Sequence, residues 1–242
     1  MDDVYREDLA AIHPEGFSAL GAAAAQMILD ALGERAASSR VLDLGCGAGA
    51  LAQPLSEAGV DVWGLDLSPD LLAIARRQAP RAHFEEGSLH AAALPPADAI
   101  CAIGEVVNYM ADDRAGLAAL GNFLDRAAGA LQPGGLLLFD AAAPGRGSSR
   151  SFTEGEGWAV GSISEEADGI LTRRITTFRK TAAGAWRRAE ETHRLALYPP
   201  DQVLEALACA GFQAEILPAY GALAPPPGLQ VYRAVQSGGV GR

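Results

Sequence analysis

Cysteine and positive charge are both scarce in this sequence. Its 242 residues include only three cysteines, Cys46, Cys101 and Cys209, which lie far apart among small or apolar neighbours. They form neither a CxxC pair nor a Cys/His cluster, so the sequence predicts buried free thiols in a reducing compartment and no metal site. Lysine and arginine number 19 against 30 aspartates and glutamates, a net charge of -11. That charge disfavours nucleic acid and anionic membranes as partners.

A long apolar segment is also missing. The longest run of small and apolar residues, 21–32 (GAAAAQMILDAL), is too short and too polar to cross a membrane. The first residues, MDDVYREDL, lack the apolar core of a signal peptide. We therefore expect a cytoplasmic protein. Glycine and proline are dispersed, so disorder is expected only in the tail, residues 237–242.

Short apolar runs alternate with helical stretches over the first 145 residues. The pattern predicts strands at 40–44, 60–65, 82–85, 99–103 and 136–140, and helices at 17–33, 48–58, 68–78 and 112–131. Such alternation with short links implies parallel strands joined by right-handed crossovers. Ligands of these sheets bind at the carboxyl ends of the strands, where a glycine-rich loop follows the first predicted strand.

The pattern changes after Pro144. Residues 157–197 show little helical periodicity, and Asp168-Gly169 and the residues around Gly184 are typical of hairpin turns. We interpret this region as a small antiparallel insertion of about three strands. A helix at 199–210 and two strands at 212–217 and 229–235 follow, the strands forming an antiparallel terminal hairpin.

The loop in VLDLGCGAG fits two cofactor patterns. Gly45, Gly47 and Ala50 match the GxGxxG/A pattern of dinucleotide sites, whereas Gly45, Gly47 and Gly49 match GxGxG, a pattern associated with S-adenosylmethionine (SAM). Asp43 favours SAM, because a carboxylate is an awkward neighbour for a diphosphate and suits a sulfonium and an ammonium group.

Two acidic residues have alternative interpretations. Asp43 can instead be a buried structural acceptor for loop amides. Asp66 ends the second strand, where an acid can accept hydrogen bonds from the ribose hydroxyls of either ligand class. Asp66 can also cap the next helix, although Ser68 already fits that position.

Three motifs, VLDLGCGAG, VWGLDLSPDLLAIARR and ALQPGGLLLFD, occur in the order and spacing of class I SAM-dependent methyltransferases. The chain resembles this family over roughly residues 38–142. YREDLAAIHPEGF, AIGEVVNYM and EETHRLALY resemble a bacterial subgroup that acts on small molecules and carries an inserted β-sheet. The resemblance implies a Rossmann-like α/β fold: a seven-stranded, mostly parallel sheet with its last strand antiparallel, helices on both faces, and a small antiparallel β insertion.

The resemblance also implies one domain in four parts. These are a helical lid at 1–35, a SAM-binding core at 36–145, the insertion over the active site at 146–198, and a C-terminal helix and hairpin at 199–242. The residues implied to contact the methionine part of SAM are Asp43, Gly45, Cys46 and Gly47. Asp66 would hold the ribose and Leu67 would pack on the adenine.

Position 88 departs from the family pattern. Many relatives have an aspartate near this position that contacts the adenine amino group, whereas this chain has Ser88. The contact is therefore expected from the Ser88 hydroxyl and the Leu89 backbone amide. Gly104 and Glu105 would form the floor of the transfer site. Tyr5, His13 and Phe17 would close over SAM as part of the lid.

Methyl transfer from a sulfonium is an in-line displacement with a neutral leaving group, so alignment and exclusion of water matter most. A base is optional, and matters for a hydroxyl or a protonated amine. Glu105 is one candidate, although it can instead bind the SAM ammonium or a loop amide. His193 is another, and alternates with Glu191 on one strand face. Tyr109 is either an aromatic wall of the site or part of the core.

The remaining charged groups leave further alternatives open. The pairs Arg173-Arg174 and Arg187-Arg188 form either a solvated face partnered by Glu190 and Glu191 or an anchor for an anionic substrate. His83 and His90 are expected at the surface. No Asn/Asp-Pro-Pro-aromatic motif, which would indicate methylation of planar amide or base nitrogens, follows the fourth strand.

We therefore predict methyl transfer from SAM to an oxygen or nitrogen of a small molecule, with S-adenosylhomocysteine as the product. The alternatives are a NAD-type oxidoreductase on a similar sheet and a SAM-binding protein without catalysis. The oligomeric state is not predicted by any feature of the sequence.

Overall fold

The computed structural model describes residues 4–16, 18–112, 114–181 and 183–237. The helices are α1 (Glu7–Gly16), α2 (Ala19–Leu32), α3 (Ala52–Glu57), α4 (Pro69–Gln78), α5 (Leu117–Ala130) and α6 (Pro200–Cys209). The strands are β1 (Arg40–Leu44), β2 (Asp61–Asp66), β3 (His83–Glu86), β4 (Ala97–Ala102), β5 (Leu131–Ala142), β6 (Ser149–Gly155), β7 (Trp158–Ala167), β8 (Ile170–Lys180), β9 (Trp186–Ala196), β10 (Phe212–Leu217) and β11 (Leu229–Gln236). Phe17 and residues 238–242, on which two of the predictions fall, lie outside the described ranges.

The main sheet has seven strands in the order β10-β11-β5-β4-β1-β2-β3. Strand β1 pairs in parallel with β2 and β4, while β11 is antiparallel to both β5 and β10. The last strand is therefore the antiparallel one, as predicted. Because the chain reverses its direction of winding between β1 and β4, the carboxyl ends of these two strands form the crevice in which such sheets bind ligands.

Helices cover both faces of this sheet. Helices α5 and α6 pack on one face through residues such as Phe123 and Leu207, which join one buried cluster with Leu42 and Ile100. Helices α2, α3 and α4 pack on the other face, in a cluster that also contains Val41. Strand β1 is buried on both faces, which explains its continuous apolar run.

The loop from β2 into α4 is fixed by local chemistry. Pro69 occupies the first helical turn, and the Ser68 hydroxyl accepts a hydrogen bond from the backbone N–H of Leu71 at 3.2 Å. This confirms Ser68 as the N-cap. The helix therefore begins at Pro69, three residues after Asp66, which is the last residue of β2.

The inserted sheet has four antiparallel strands in the order β6-β7-β8-β9, so the expectation of about three strands was wrong. The missed strand, β6, is exposed along its whole length and therefore has no alternation of apolar and polar residues. Asp168 and Gly169, at φ values of 51° and 73°, form the predicted turn between β7 and β8.

Three predicted boundaries also needed correction. Helix α3 begins at Ala52 rather than at 48, and α5 begins at Leu117 rather than at 112, because loops that line a cavity occupy the residues before them. Strand β5 begins at Leu131, five residues before the predicted start at 136.

The three cysteines are free, but only Cys46 and Cys101 are buried. Cys209 is exposed because it lies away from the face of α6 that buries Val203 and Leu207, which corrects its predicted burial. Over the described residues, no cluster of His, Cys, Asp and Glu is arranged to hold a metal ion. No single described helix has the length and hydropathy to cross a membrane. Helices α1 and α2 have them only when taken together, and they form a bent pair.

Candidate active site

A cavity of about 500 Å³ lies at the carboxyl ends of β1, β2, β3 and β4. This volume is typical of pockets for small organic ligands. The predicted site residues that line it are Tyr5, His13, Asp43, Gly45, Cys46, Gly47, Asp66, Leu67, Ser88, Leu89, Gly104 and Tyr109. Two other predicted residues, Glu105 and His193, are described but are not among the lining residues.

Three glycines leave room where the cavity approaches the backbone. Gly45 has a φ of 73°, and a Cβ on it would lie 2.5 Å from the side chain of Val106. A Cβ on Gly47 would point towards the His13 ring, 3.9 Å away. Gly104, at a φ of 98°, has no atom within 4 Å of a Cβ position. A side chain on Gly45 would collide with Val106, which itself lines the cavity, whereas side chains on Gly47 and Gly104 would extend into the open space beside it.

Asp66 ties two loops together at the mouth of the cavity. Its Oδ2 accepts the backbone N–H of Gly47 at 2.8 Å, and its Oδ1 accepts the N–H of Ser68 at 2.8 Å. Burial raises the pKa of Asp66, although the N–H donors of Ser68, Gly47 and Leu67 oppose that rise. Each carboxylate oxygen accepts more than one hydrogen bond, so Asp66 retains capacity for ligand hydroxyls.

Asp43 is almost fully buried, with 2% of its surface exposed. Its Oδ1 accepts a weak hydrogen bond from the Cys101 thiol at 3.7 Å, and its Oδ2 has no partner among the described residues. Burial raises the pKa of Asp43 to about 7. A buried carboxylate oxygen without a partner is costly, so this arrangement favours a ligand that brings a positive charge or a donor.

The charged residues that line the cavity are all acidic. They are Asp43, Glu57, Asp66 and Asp112, and no lysine or arginine is found among the described lining residues. The diphosphate of a dinucleotide would therefore meet carboxylates and no cation, whereas a cationic ligand would be stabilised.

The lining of the cavity also includes four neighbouring residues, Ser88, Leu89, His90 and Asp112. His90 corrects the prediction of a surface residue, because it is among the lining residues and both of its ring nitrogens are buried without a hydrogen-bond partner in the described part of the chain. Burial lowers the pKa of His90, so its imidazole is neutral at neutral pH. Sequence reasoning missed Asp112, since the residues around it match no motif.

Two tyrosines that line the cavity are in contact with each other. The hydroxyls of Tyr5 and Tyr109 are 2.8 Å apart and share a hydrogen bond. Burial raises the pKa of both phenols, so both are neutral at neutral pH. His193 is fully buried behind them, with its ring centroid 5.0 Å from that of Tyr5 and 5.6 Å from that of Tyr109.

Glu191 fastens the segment before α1 to the inserted sheet. Its carboxylate accepts the backbone N–H groups of Tyr5 at 2.8 Å and Arg6 at 3.0 Å, and it also bonds to His193 Nε2 at 3.0 Å. The Tyr5 carbonyl accepts the Ser68 hydroxyl at 2.7 Å. The segment is thus held at once by β9 of the inserted sheet and by the N-cap residue of α4.

The Glu105 carboxylate is paired with two guanidinium groups. Arg173 donates to its Oε2 at 3.0 Å and Arg146 donates to its Oε1. Burial opposes ionisation, but the two arginines hold the pKa of Glu105 below its usual value. Glu105 has a φ of 63°, a backbone conformation held by Asp140, which accepts the N–H groups of Gly104 and Glu105.

The other predicted arginines pair with carboxylates that were not foreseen. Arg174 pairs with Glu165 at 3.2 Å, and Arg187 pairs with Glu7 and Asp8 of α1. Arg188 does pair with Glu190, at 2.5 Å, as one interpretation expected. Glu191 is instead committed to the lid segment and to His193.

Comparisons with known proteins agree with this geometry. Residues 41–135 match the family model described as "Methyltransferase domain". A dTDP-3-amino-3,6-dideoxy-alpha-D-glucopyranose N,N-dimethyltransferase of Streptomyces fradiae is 30% identical over 192 residues, which are 75% of this chain and 72% of that protein. The chain belongs to the SAM-dependent methyltransferases.

Two further relatives include both an O-methyltransferase and an N-methyltransferase. A malonyl-[acyl-carrier protein] O-methyltransferase of Serratia marcescens is 31% identical over 70% of this chain and 62% of its own length. The crystal structure of a sugar N-methyltransferase from Streptoalloteichus is 26% identical, with a TM-score of 0.73 over 98% of this chain and 94% of the other. The chain spans 38% of the length of a ubiquinone biosynthesis O-methyltransferase of Nitrobacter winogradskyi, another curated relative.

The cavity of the methyltransferase fits SAM. The cavity has the size of a small-ligand pocket, and Asp43, whose buried Oδ2 has no partner among the described residues, is one of the carboxylates that line it. The predicted family, fold and cofactor are therefore confirmed. The individual contacts of each residue with SAM stay predictions.

Proposed function

We propose that this methyltransferase transfers the methyl group of SAM to an amino nitrogen of a small molecule. The observation that carries the proposal is the charge of the cavity, which is lined by carboxylates and, among the described residues, by no lysine or arginine. An acceptor that is itself a carboxylate or a phosphate would find no counter-charge there. The Streptomyces fradiae and Streptoalloteichus relatives, named as N-methyltransferases, support nitrogen as the target.

The two tyrosines are the groups that we propose to touch the acceptor. When bound, SAM supplies an electrophilic methyl group on its sulfonium. Tyr5 and Tyr109 line the cavity and their hydroxyls are neutral, so we propose that these hydroxyls accept a hydrogen bond from an acceptor N–H and orient the nitrogen lone pair. A neutral amine needs no base before it attacks, which suits a site whose hydroxyls are hard to ionise.

We propose positioning roles for the two residues that do not line the cavity. His193 packs against both tyrosine rings and is itself held by Glu191, so it acts through Tyr5 and Tyr109 rather than on the acceptor. Glu105 is neutralised by Arg146 and Arg173, so its carboxylate fixes the loop beside Gly104 and does not serve as a base.

The organisation of the chain follows from the same proposal. Residues 1–35 act as the lid, 36–145 hold SAM, 146–198 cover the acceptor, and 199–242 complete the main sheet, all in one domain. The acceptor is a small molecule rather than a nucleic acid or a membrane lipid. A cytoplasmic location is part of this proposal and agrees with three cysteines that are all free.

Labelled SAM and matched acceptor panels test the proposal. Each panel pairs an amine with the alcohol and the carboxylic acid of the same carbon skeleton, and isothermal titration measures SAM and NAD(H) binding in parallel. We expect SAM to bind and label to appear on amines. Label confined to alcohols or acids would contradict the amine acceptor. Tight SAM binding without any labelled product would indicate a non-catalytic SAM-binding protein, and binding of NAD(H) without SAM would overturn the proposal.

The Asp66→Ala variant is expected to weaken SAM binding by about 1 to 3 kcal/mol, the scale for losing hydrogen bonds to a charged acceptor. Isothermal titration measures the affinity. The matched control is Asp61→Ala, at the exposed start of the same strand, which should bind SAM like the wild type. Since Asp66 also holds Gly47 and Ser68, thermal unfolding must show that the variant is folded. Unchanged affinity would remove Asp66 from the ribose site.

A further inference from the structure

The Ser88 hydroxyl is already committed in this structure. Its Oγ accepts the backbone N–H of His90 at 3.1 Å. A hydroxyl has one proton and two lone pairs, and unlike a carboxylate it carries no charge with which to attract an amino group. The loop after β3 therefore offers no ionised acceptor for the amino group of adenine.

Asp112 supplies a carboxylate that lines the cavity near Ser88. It lies in the loop between β4 and α5, and only 4% of it is exposed. Its Oδ1 accepts the backbone N–H of Arg114 at 3.0 Å and the Arg114 Nε at 3.1 Å. Its Oδ2 is buried without a hydrogen-bond partner among the described residues, and Asp112 lines the cavity.

The charge state and neighbours of Asp112 suit a side chain that accepts a hydrogen bond from a ligand N–H. Burial opposes ionisation, but the nearby Ser88 hydroxyl and the Arg114 groups hold the pKa of Asp112 below its usual value. The carboxylate is thus ionised at neutral pH and lies beside the position where relatives carry their aspartate. An ionised, buried oxygen without a donor is unfavourable by itself, and a ligand N–H would relieve that cost.

We propose that Asp112 takes the place of the missing carboxylate at position 88, with its Oδ2 accepting a hydrogen bond from the exocyclic amino group of the SAM adenine. The inference rests on the proposed function insofar as SAM is the ligand. It makes Asp112 the residue that selects adenine over purines that lack the amino group or carry an oxygen at that position. Ser88 then supports Asp112 rather than reading the base.

Binding of three nucleosides tests the proposal without any turnover. The probes are S-adenosylhomocysteine, its analogue with unsubstituted purine in place of adenine, and S-inosylhomocysteine, which has an oxygen where adenine has its amino group. We expect the wild type to bind S-adenosylhomocysteine at least tenfold more tightly than either analogue in isothermal titration. The Asp112→Ala variant should bind S-adenosylhomocysteine and the purine analogue within twofold of each other.

The Asp112→Asn variant gives a sharper result. An asparagine amide can donate a hydrogen bond to the oxygen of S-inosylhomocysteine, so this variant should lose its preference for adenine over the inosine analogue. Asp125→Asn, an exposed change on α5, should keep both affinity and preference. Thermal unfolding checks that each variant is folded.

Two outcomes would overturn the role of Asp112 alone. One is a wild type that binds S-adenosylhomocysteine and the purine analogue equally, which decides the matter even if the variants do not fold. The other is a folded Asp112→Ala variant that keeps the full preference for adenine. A wild type that binds no S-adenosylhomocysteine would instead overturn the proposed function.

Discussion

The Asp43→Asn variant is expected to unfold at a higher temperature than the wild type at pH 8 and to bind SAM at least tenfold more weakly. Asp43 is buried, its Oδ2 has no partner among the described residues, and burial raises its pKa from 3.8 to about 7. The folded protein without ligand therefore carries a destabilising charge at pH 8, and the neutral amide removes it. The same charge is what a sulfonium or ammonium group needs, so the substitution weakens binding.

The pH dependence has a definite sign. The pKa of Asp43 is higher in the folded state than the ordinary value of 3.8. The protonated carboxyl therefore makes its whole contribution to the free energy of unfolding below pH 3.8, and this contribution is lost as the pH rises through about 7. The charge then costs up to about 4 kcal/mol at pH 8, since each pKa unit corresponds to about 1.4 kcal/mol. The stability gained by Asp43→Asn should shrink as the pH falls from 7 towards 4.

SAM affinity, unlike the stability of the ligand-free protein, should rise as the pH rises through the pKa of Asp43. In the wild type, binding a cation beside Asp43 requires the carboxylate to be ionised, so affinity should fall about tenfold between pH 7.5 and pH 6. The Asp43→Asn variant should show a nearly flat profile over this range. Thermal unfolding and isothermal titration at several pH values measure both effects, with the exposed Asp61→Asn as the control. A wild-type affinity that does not change with pH would separate Asp43 from the cationic part of SAM.

The Glu105→Gln variant should lower the free energy of unfolding by about 3 to 5 kcal/mol, the scale for leaving a buried ion pair with one partner. The side chain of Glu105 is 10% exposed, and those of Arg146 and Arg173 are 15% and 20% exposed. Removing the carboxylate leaves both guanidinium groups without their counter-charge. Chemical denaturation with urea measures the loss.

Glu165, a glutamate on strand β7 of the inserted sheet, provides the matched control. Glu165 pairs with Arg174, but both side chains are 54% exposed, so Glu165→Gln should cost less than about 1 kcal/mol. If Glu105→Gln were instead as stable as the wild type and lost turnover at unchanged SAM affinity, Glu105 would be acting as the base that the sequence suggested.

The cofactor half of the site was predictable because its signals are local. Asp43, Gly45 and Gly47 lie within five residues at the end of one strand, and Asp66 ends the next strand and precedes a capped helix. Patterns of this length can be recognised before any tertiary structure is known. The main sheet was predictable for the same reason, since its buried parallel strands are continuous apolar runs.

The rest of the site depends on contacts between distant parts of the chain. Glu105 meets Arg146 and Arg173, which are 41 and 68 residues away, and Tyr5 meets Tyr109 across 104 residues. No periodicity or motif encodes such pairings. This explains why Glu105 was suggested as a free base and why Asp112 was not considered.

The backbone of Tyr5 links the inserted sheet to the start of α4. Its N–H is held by Glu191 of β9 and its C=O by Ser68 at the start of α4. Because Tyr5 lines the cavity, we expect release of S-adenosylhomocysteine to require movement of that short piece of backbone. The residence time of the spent nucleoside is thereby linked to side chains of the inserted sheet, so a change made there to admit a bulkier acceptor would also alter how fast the protein reloads.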